Sequence, residues 1–529
     1  MNDRNGDPPG TTSSDENLQG NALVGSAASG TNTPTNENEL EKSLHDEPQT
    51  SVTQPKLHSV FTKRQKWFIV VMAAIAGMFS PFTINIYFPA IPTIAAAFHK
   101  TVELINLSVT VYMVLQGVSP MLWGTLADRV GRRPIFLVCL FILALACVGL
   151  GLVPTSAYWL LLLLRALQAA GCSSTISVAA GVIGDIADPS ERGGFFGVFN
   201  IGPMAGPSIG PIIGGVLAGS LGWRSIFWFL CIASMVCFFF ILLFFPETLR
   251  AIVGDGSIRP SKPRLYSPLI PFVTYRSHES LSPPATESSS KRPKLNPFLL
   301  FLRPEILLPL IYMAIPFAVL NTFTATMASL FGTAYPWLTE SEIGLCYLAI
   351  GGGMLCGGVF GGRLLDWDYR RIKNEIESER EKNVEGQVDE DFPIEKARMR
   401  MLPYFLLVAV GSCMGYGWCL QSKVNIAAPL ILQVIFGFFS NVSFTGMQTL
   451  LIDMAPTQGA SVTACNNITR CITGAVLVSV VDLILNALGP GWSYVLFGGI
   501  IACGAIPLIF VEMKMGPQWR RKRRMSGLL

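Results

Sequence analysis

The sequence predicts an all-α polytopic membrane protein, with twelve transmembrane helices in two pseudo-symmetric six-helix bundles. Three observations carry this expectation. The 529-residue chain is 50% hydrophobic and only 14% charged, with a mean hydropathy of +0.46, whereas soluble domains carry about 25% charge. The charges are gathered into a few stretches, leaving apolar runs of roughly twenty residues, the length a helix needs to cross a bilayer. Finally, GTLADRVGRR at 124–133 returns as GRLLDWDYRR at 362–371, each copy closing a long apolar run with a glycine, an aspartate and a double arginine. A module used twice implies two parallel halves related about an axis along the membrane normal, with a path between them.

Taken in order, residues 1–62 are polar, rich in Ser, Thr, Asn and Asp, and are expected to be disordered. No cleavable signal peptide is expected, since the first apolar run starts near Trp67. Lys63, Arg64 and Lys66 stand just before it. Spans follow at 67–89, 104–126, 134–153, 157–184, 194–219 and 224–245, forming a first bundle within 63–246. Residues 247–303 read as a polar linker. The second bundle, 304–512, holds spans at 304–330, 342–365, 401–420, 426–451, 459–485 and 491–512, before a basic tail at 513–529. Residues 367–400 are densely charged and suit a solvent-exposed helix. On this topology Lys100, Arg224 and Lys423 are the cations on the outer side, so both termini are expected in the cytosol.

The repeated turn carries a mechanical expectation. Gly124 allows close helix approach, and Asp128 can accept hydrogen bonds at a helix start, where the dipole favours an anion. Gly131 shapes the turn, while Arg129, Arg132 and Arg133 stay on the cytosolic side and find acids, Asp185 at the end of span 4 being the natural partner. The second half offers Gly362, Asp366, Arg370 and Arg371, with Asp453 at the end of span 10. These clusters are expected to lock a cytosolic gate in the outward-facing state and to break on opening.

Span 5 reads GVFNIGPMAGPSIGPIIGG. Gly202, Gly206, Gly210 and Gly214 trace a stripe without side chains along one face, and Pro203, Pro207 and Pro211 remove backbone donors and favour bends. Arg165 in span 4, with Gln168 one turn on, and Arg470 in span 11 are cations at membrane depth. Each costs roughly 2.5–3.5 kcal/mol on insertion scales, so each is expected to face a cavity or a partner and to serve substrate or proton. Asp482 in span 11 is the clearest intramembrane carboxylate, and span 1 has none. Asn85, Tyr112, Gln116, Asn321, Asn466 and Asn467 are polar candidates to line a central cavity.

All twelve cysteines lie in apolar runs without metal-site spacing, and His45, His58, His99 and His278 lie outside the spans. Neither a metal, a cofactor nor an enzymatic constellation is expected, and nucleic-acid binding is not indicated.

These segments resemble the major facilitator superfamily, and within it the twelve-span drug:proton antiporters. GTLADRVGRR is similar to its loop signature through Gly124, Asp128, Arg129, Gly131, Arg132 and Arg133. The stretch from Gly197 to Gly215 resembles the antiporter signature at Gly197, Gly206, Pro207, Gly210, Pro211, Gly214 and Gly215. Arg165 and Gln168 match the span-4 signature, where Ala169 replaces the usual glycine. NIYFPAIP at 85–92 and PETLR at 246–250 are similar to fungal quinidine-resistance-type and organic-acid exporters. The resemblance implies the major facilitator fold and alternating access by rocking of the halves. It also implies proton-driven export of drugs, weak organic acids, amino acids or polyamines, by a monomer in the plasma membrane. A nutrient facilitator and a non-transporting sensor are the alternatives; the span-5 stripe argues against the first and the internal repeat against the second.

Overall fold

The computed structural model describes residues 59–187, 191–256, 258, 266–270, 297–382, 394–454 and 459–525. The tail expected to be disordered therefore falls outside the described residues up to 58, as do most of the linker and residues 526–529.

The chain enters at α1 (Lys63–Asn85). Its start is set by a reciprocal cap in which Thr62 and Gln65 each bind the other's backbone N–H, satisfying two donors that the helix cannot. A 3-10 turn (Phe88–Ala90) and α2 (Ile91–Phe98) complete the first crossing. Then come α3 (Val102–Val130), α4 (Arg132–Leu152), α5 (Tyr158–Cys172) running on into α6 (Ser174–Ile186), α7 (Arg192–Leu221) and α8 (Arg224–Phe244), with a short α9 (Arg250–Val253). The second series is α10 (Pro304–Ala334), α11 (Glu340–Lys382), a short α12 (Ile394–Met399), α13 (Leu402–Gln421), α14 (Ala427–Met454), α15 (Gly459–Ile500) and α16 (Ile506–Met525). A π-helical turn at Ile501–Ala505 joins the last two.

Among the described residues, eleven helical stretches are long and apolar enough to cross a membrane. The longest, Val462–Lys522, is two crossings. Gly489 leaves the helical region (φ 71°, ψ 168°) just before Pro490. Across that point Ser493 Oγ donates to the carbonyl of Ile484 at 3.2 Å, although nine residues of straight helix would hold them roughly 13 Å apart. The chain must double back there, which yields the twelfth span. α11, at 43 residues, is far longer than the roughly 20 residues a bilayer requires. It carries the charged stretch after Trp367 onward as helix as far as Lys382.

Two seams join the first six crossings to the last six: α3 packs on α15, and α7 on α11. Within the first six, α1 lies on α7, and α4 on α5 and α8. Within the last six, α14 lies against α11 and α13, and α15 against α10 and α13. An aromatic knot of Phe323, Tyr416, Phe436 and Tyr494 fills the second set, with Tyr494 Oη 2.8 Å from Thr326 Oγ1.

Candidate transport path and gate

One end of the molecule carries the starts of α1, α4 and α13 and the ends of α6 and α14; it is called the basic end here. Gly131 ends α3 with φ 123°, a conformation that favours glycine. An added Cβ would also stand 2.5 Å from Glu247 Oε2. Glu247, fully buried, uses the space so left. Its carboxylate accepts from the backbone N–H groups of Arg132 (2.9 Å), Arg133 (3.2 Å), Thr248 (2.9 Å) and Leu249 (3.0 Å). An anion at the start of α4 satisfies orphan donors and complements the helix dipole. Nothing in the local pattern singled out Glu247, although it stands in the PETLR segment.

Above that cap, Arg132 Nε donates to Asp185 Oδ2 at 3.0 Å and Nη1 lies 2.7 Å from Asp128 Oδ1. The expected Arg132–Asp185 pair therefore forms. Asp128 is the exposed member, with 62% of its side chain accessible. Arg133 turns inward and donates to the carbonyl of Leu242 at 2.7 Å. Lys66 Nζ binds Glu191 at 3.0 Å. All of these contacts lie within the first six crossings.

The second half departs from the sequence expectation. Arg371 Nε binds Glu375 at 3.1 Å on the exposed part of α11, and Arg370 lies exposed beside it. Asp453 is bound instead by Arg398, whose Nε lies 3.2 Å from Oδ2. Arg398 stands just before α13 as Arg132 stands at the start of α4, so Arg398–Asp453 repeats Arg132–Asp185. The charged extension of α11 has pulled the apparent double arginine away from the position it held in the first half. A Cβ added to Gly362 would meet nothing within 4 Å, and the side chain of Asp366 lies outside the described ones. Arg398→Ala is accordingly expected to slow transport about as much as Arg132→Ala, while Arg371→Ala leaves it within twofold; initial flux in vesicles decides between them.

The glycine stripe of α7 is pressed against α1. A Cβ on Gly202 or Gly214 would run into the carbonyls of Ala74 and Ile86. At Gly206 it would sit 2.8 Å from Phe82 N, and at Gly210 3.1 Å from Ile86 N. Gly215 faces the other way, where an added Cβ would stand 2.8 Å from the Cα of Gly344 on α11. Pro203, Pro207 and Pro211 lie inside one continuous helix. Pro211 contributes its carbonyl to the same α11 contact at Gly344. A Cβ on Gly197 would meet nothing within 4 Å.

Arg165 is fully buried between two rings, its guanidinium 4.1 Å from the centre of Tyr87 and 4.5 Å from that of Tyr112. Nη1 donates to Gln168 Oε1 at 2.6 Å, and Gln168 in turn reaches Cys147 Sγ at 3.2 Å. Tyr112 Oη donates to the Ser80 carbonyl at 3.0 Å and lies 2.9 Å from Cys172 Sγ, while Tyr87 Oη lies 3.0 Å from Ser108 Oγ. Arg165 Nε and Nη2 have no hydrogen-bond partner. Desolvated cation–π contacts supply about 2 kcal/mol each, which offsets part of the cost of burying the charge. Tyr112, expected to line a cavity, builds this cage instead. Tyr87 was not among the expected site residues, though it stands in the quoted NIYFPAIP.

Arg470 sits at the α3–α15 seam. Nη2 donates to Asn467 Oδ1 at 2.8 Å, and the guanidinium lies 4.4 Å from Phe317 and 5.9 Å from Phe444. Asn467 Nδ2 donates to the carbonyl of Gln116 at 2.9 Å, linking the two halves, and Gln116 Nε2 reaches Ser80 Oγ at 3.1 Å. Asn85 and Asn321 turn back on their own helices, to the carbonyls of Pro81 and Phe317. Asn466 is buried with Oδ1 unbonded.

Toward the opposite end, carboxylates bridge the halves. Asp482 Oδ2 accepts from Asn106 Nδ2 at 2.6 Å, Glu103 Oε1 from Asn486 Nδ2 at 2.9 Å, and Glu340 Oε1 from Thr93 Oγ1 at 2.5 Å. The halves are thus bonded together at the end away from the arginine clusters.

Twelve crossings, an arginine–aspartate pair in each half and two guanidiniums caged by rings and amides within the spans mark a polytopic membrane transporter. The chain belongs to the Major Facilitator Superfamily, whose model matches residues 73–375. It is 36% identical to citrate exporter 1 of Aspergillus niger over 94% of this chain and 95% of that one. It is 33% identical to the multidrug transporter QDR2 of Candida glabrata over 93% and 88% of the two chains. With the MFS antiporter QDR1 of Candida albicans it shares 31% over 88% and 91%. A crystal structure of a D-xylose–proton symporter shares the fold, with a TM-score of 0.61, 13% identity, and coverage of 83% of this chain and 96% of that chain.

Proposed function

We propose that this transporter exports small organic anions in exchange for protons, by alternating access, with its basic end and both termini in the cytosol of a fungal cell. The observation that carries this reading is the pair of intramembrane guanidiniums, Arg165 and Arg470. Their contacts are aromatic rings and amides, and neither has a carboxylate at ion-pair distance among the described residues. A carboxylate-bearing cargo supplies the missing charge, and the citrate exporter relative agrees with that class. Basic clusters flanking the spans support the orientation, the citrate exporter relative supports the direction of transport, and the antiporter relative supports exchange. The structure is bonded shut at the end opposite the basic clusters, which on this orientation is the inward-open side of the cycle.

Asp482 is assigned the coupled proton, because it is a carboxylate within a span that is bonded across the seam to Asn106, a bond that separation of the halves would break. No resident cofactor is invoked; the proton gradient is the energy source. Purified protein in vesicles loaded with labelled citrate is expected to release it faster when the opposite compartment is acidified. Flux indifferent to the gradient would sink the reading. In Asp482→Asn, exchange of citrate for citrate is expected to persist while gradient-driven release falls at least tenfold; undiminished driven release would remove Asp482 from coupling. A second reading, efflux of apolar drugs, is favoured by Phe317 and Phe444 around Arg470, and the same vesicles tested with a cationic drug distinguish it.

A further inference from the structure

The two halves differ at one repeated carboxylate. Glu247 follows α8 and Glu512 lies on α16, so each closes the last crossing of its half at the basic end. Glu247 is saturated by four backbone donors. Glu512 is 1% exposed, and neither of its oxygens has a hydrogen-bond partner. It lies beside a second acidic side chain. A Cβ placed on Gly516 would lie 2.9 Å from Glu512 Oε1 and 3.1 Å from Glu395 Cγ, so both side chains close on one point. Glu395, on α12, is itself fully buried, and neither of its oxygens has a hydrogen-bond partner.

The charges around the pair do not balance it. α10 contributes Glu305, 7% exposed. α12 contributes Glu395, with Lys396 exposed to solvent and Arg398 committed to Asp453. α13 and the π turn at Ile501–Ala505 carry no charged residue. α16 itself supplies, among the described side chains, exposed Lys514, Arg521 and Lys522, and the less exposed Arg520, whose Nη2 stands 3.3 Å from Glu395 Oε2. Among the described residues, Glu395 and Glu512 thus lie together with one guanidinium at ion-pair distance, and it faces Glu395. Two adjacent carboxylates cannot both stay ionised out of water without a cation between them. Among the described residues no three such side chains are arranged to hold a metal ion, and a proton needs no ligand shell.

We propose that Glu395 and Glu512 form a proton-binding site, separate from the transport path, which ties α16 to α12 while it is loaded. Loss of that proton sets two anions against each other and loosens the basic end of the second half, making the packing there responsive to the pH on that side.

The test uses the full chain in lipid nanodiscs and needs no cargo, so its failure and that of the export reading are separable. Infrared spectra are recorded from mildly acidic to alkaline pH alongside thermal unfolding. The wild type is expected to show a protonated-carboxyl carbonyl band that Glu512→Gln lacks. Its midpoint should fall as the pH rises, because a site kept neutral by folding stabilises only while protonated. The Glu512→Gln midpoint should stay level across that range, and Glu395→Gln provides the same comparison if Glu512→Gln does not fold. An unchanged band, or a Glu512→Gln midpoint below wild type at every pH, would overturn the proposal. So would recovery of the wild-type alkaline midpoint by sodium, potassium or magnesium, which would make the occupant a metal cation.

Discussion

Arg165→Ala is expected to abolish transport while leaving the protein folded in the membrane. Its contacts are the faces of Tyr87 and Tyr112 and the amide of Gln168. All are neutral, so deleting the guanidinium strands no buried ion, and the usual penalty for breaking a buried pair is avoided. What disappears is the positive charge itself. A carboxylate cargo that binds the charge directly, or a proton step that answers to it, should slow by at least about 100-fold, equivalent to roughly 2.7 kcal/mol of transition-state stabilisation. Arg165→Lys keeps the charge but loses the flat group that stacks between two rings, and should fall between alanine and wild type. Flux in vesicles, normalised to protein recovered in a single chromatographic peak, is the measurement. Full flux from Arg165→Ala would take the residue out of the mechanism.

The largest effect on folding is expected from one added methyl group. In Gly214→Ala the new Cβ is driven into the backbone of Ile86, and backbone at a helix end cannot swing aside as a side-chain tip can. Overpacking of this kind costs about 1–3 kcal/mol, here at the contact that seats α7 on α1. The yield of monodisperse protein should fall several-fold. Gly197→Ala is the matched control: it belongs to the same signature but has open space around it. Its yield should match wild type. Equal losses from both would mean that the stripe acts through helix flexibility and not through contact.

Much of this molecule was legible before its structure. Runs of apolar residues set the crossings because a bilayer leaves backbone groups no partner except their own helix. The expected solvent helix after Trp367 forms as far as Lys382, since nothing in that stretch breaks α11. Arg165, Arg470 and Asp482 stood out because charge within a span is costly. The first-half ion pair was also readable, for Arg132 and Asp185 meet as expected, with Asp128 on the same guanidinium.

The second-half ion pair was not. Local likeness pointed to Arg370 and Arg371, but the ion pair belongs to Arg398, because a pair depends on where a long insertion returns the chain. The sequence by itself determined the number of crossings, the charged turn of the first half and the identity of the charges within the spans, all of which follow from local hydropathy and spacing. Tertiary structure alone decided that the glycine stripe serves α1, that two tyrosines cage Arg165, and that Glu247 is saturated while Glu512 is not. Each of those is a meeting of distant segments, and the direction in which a side chain meets its neighbour is set by helix packing that no local pattern encodes.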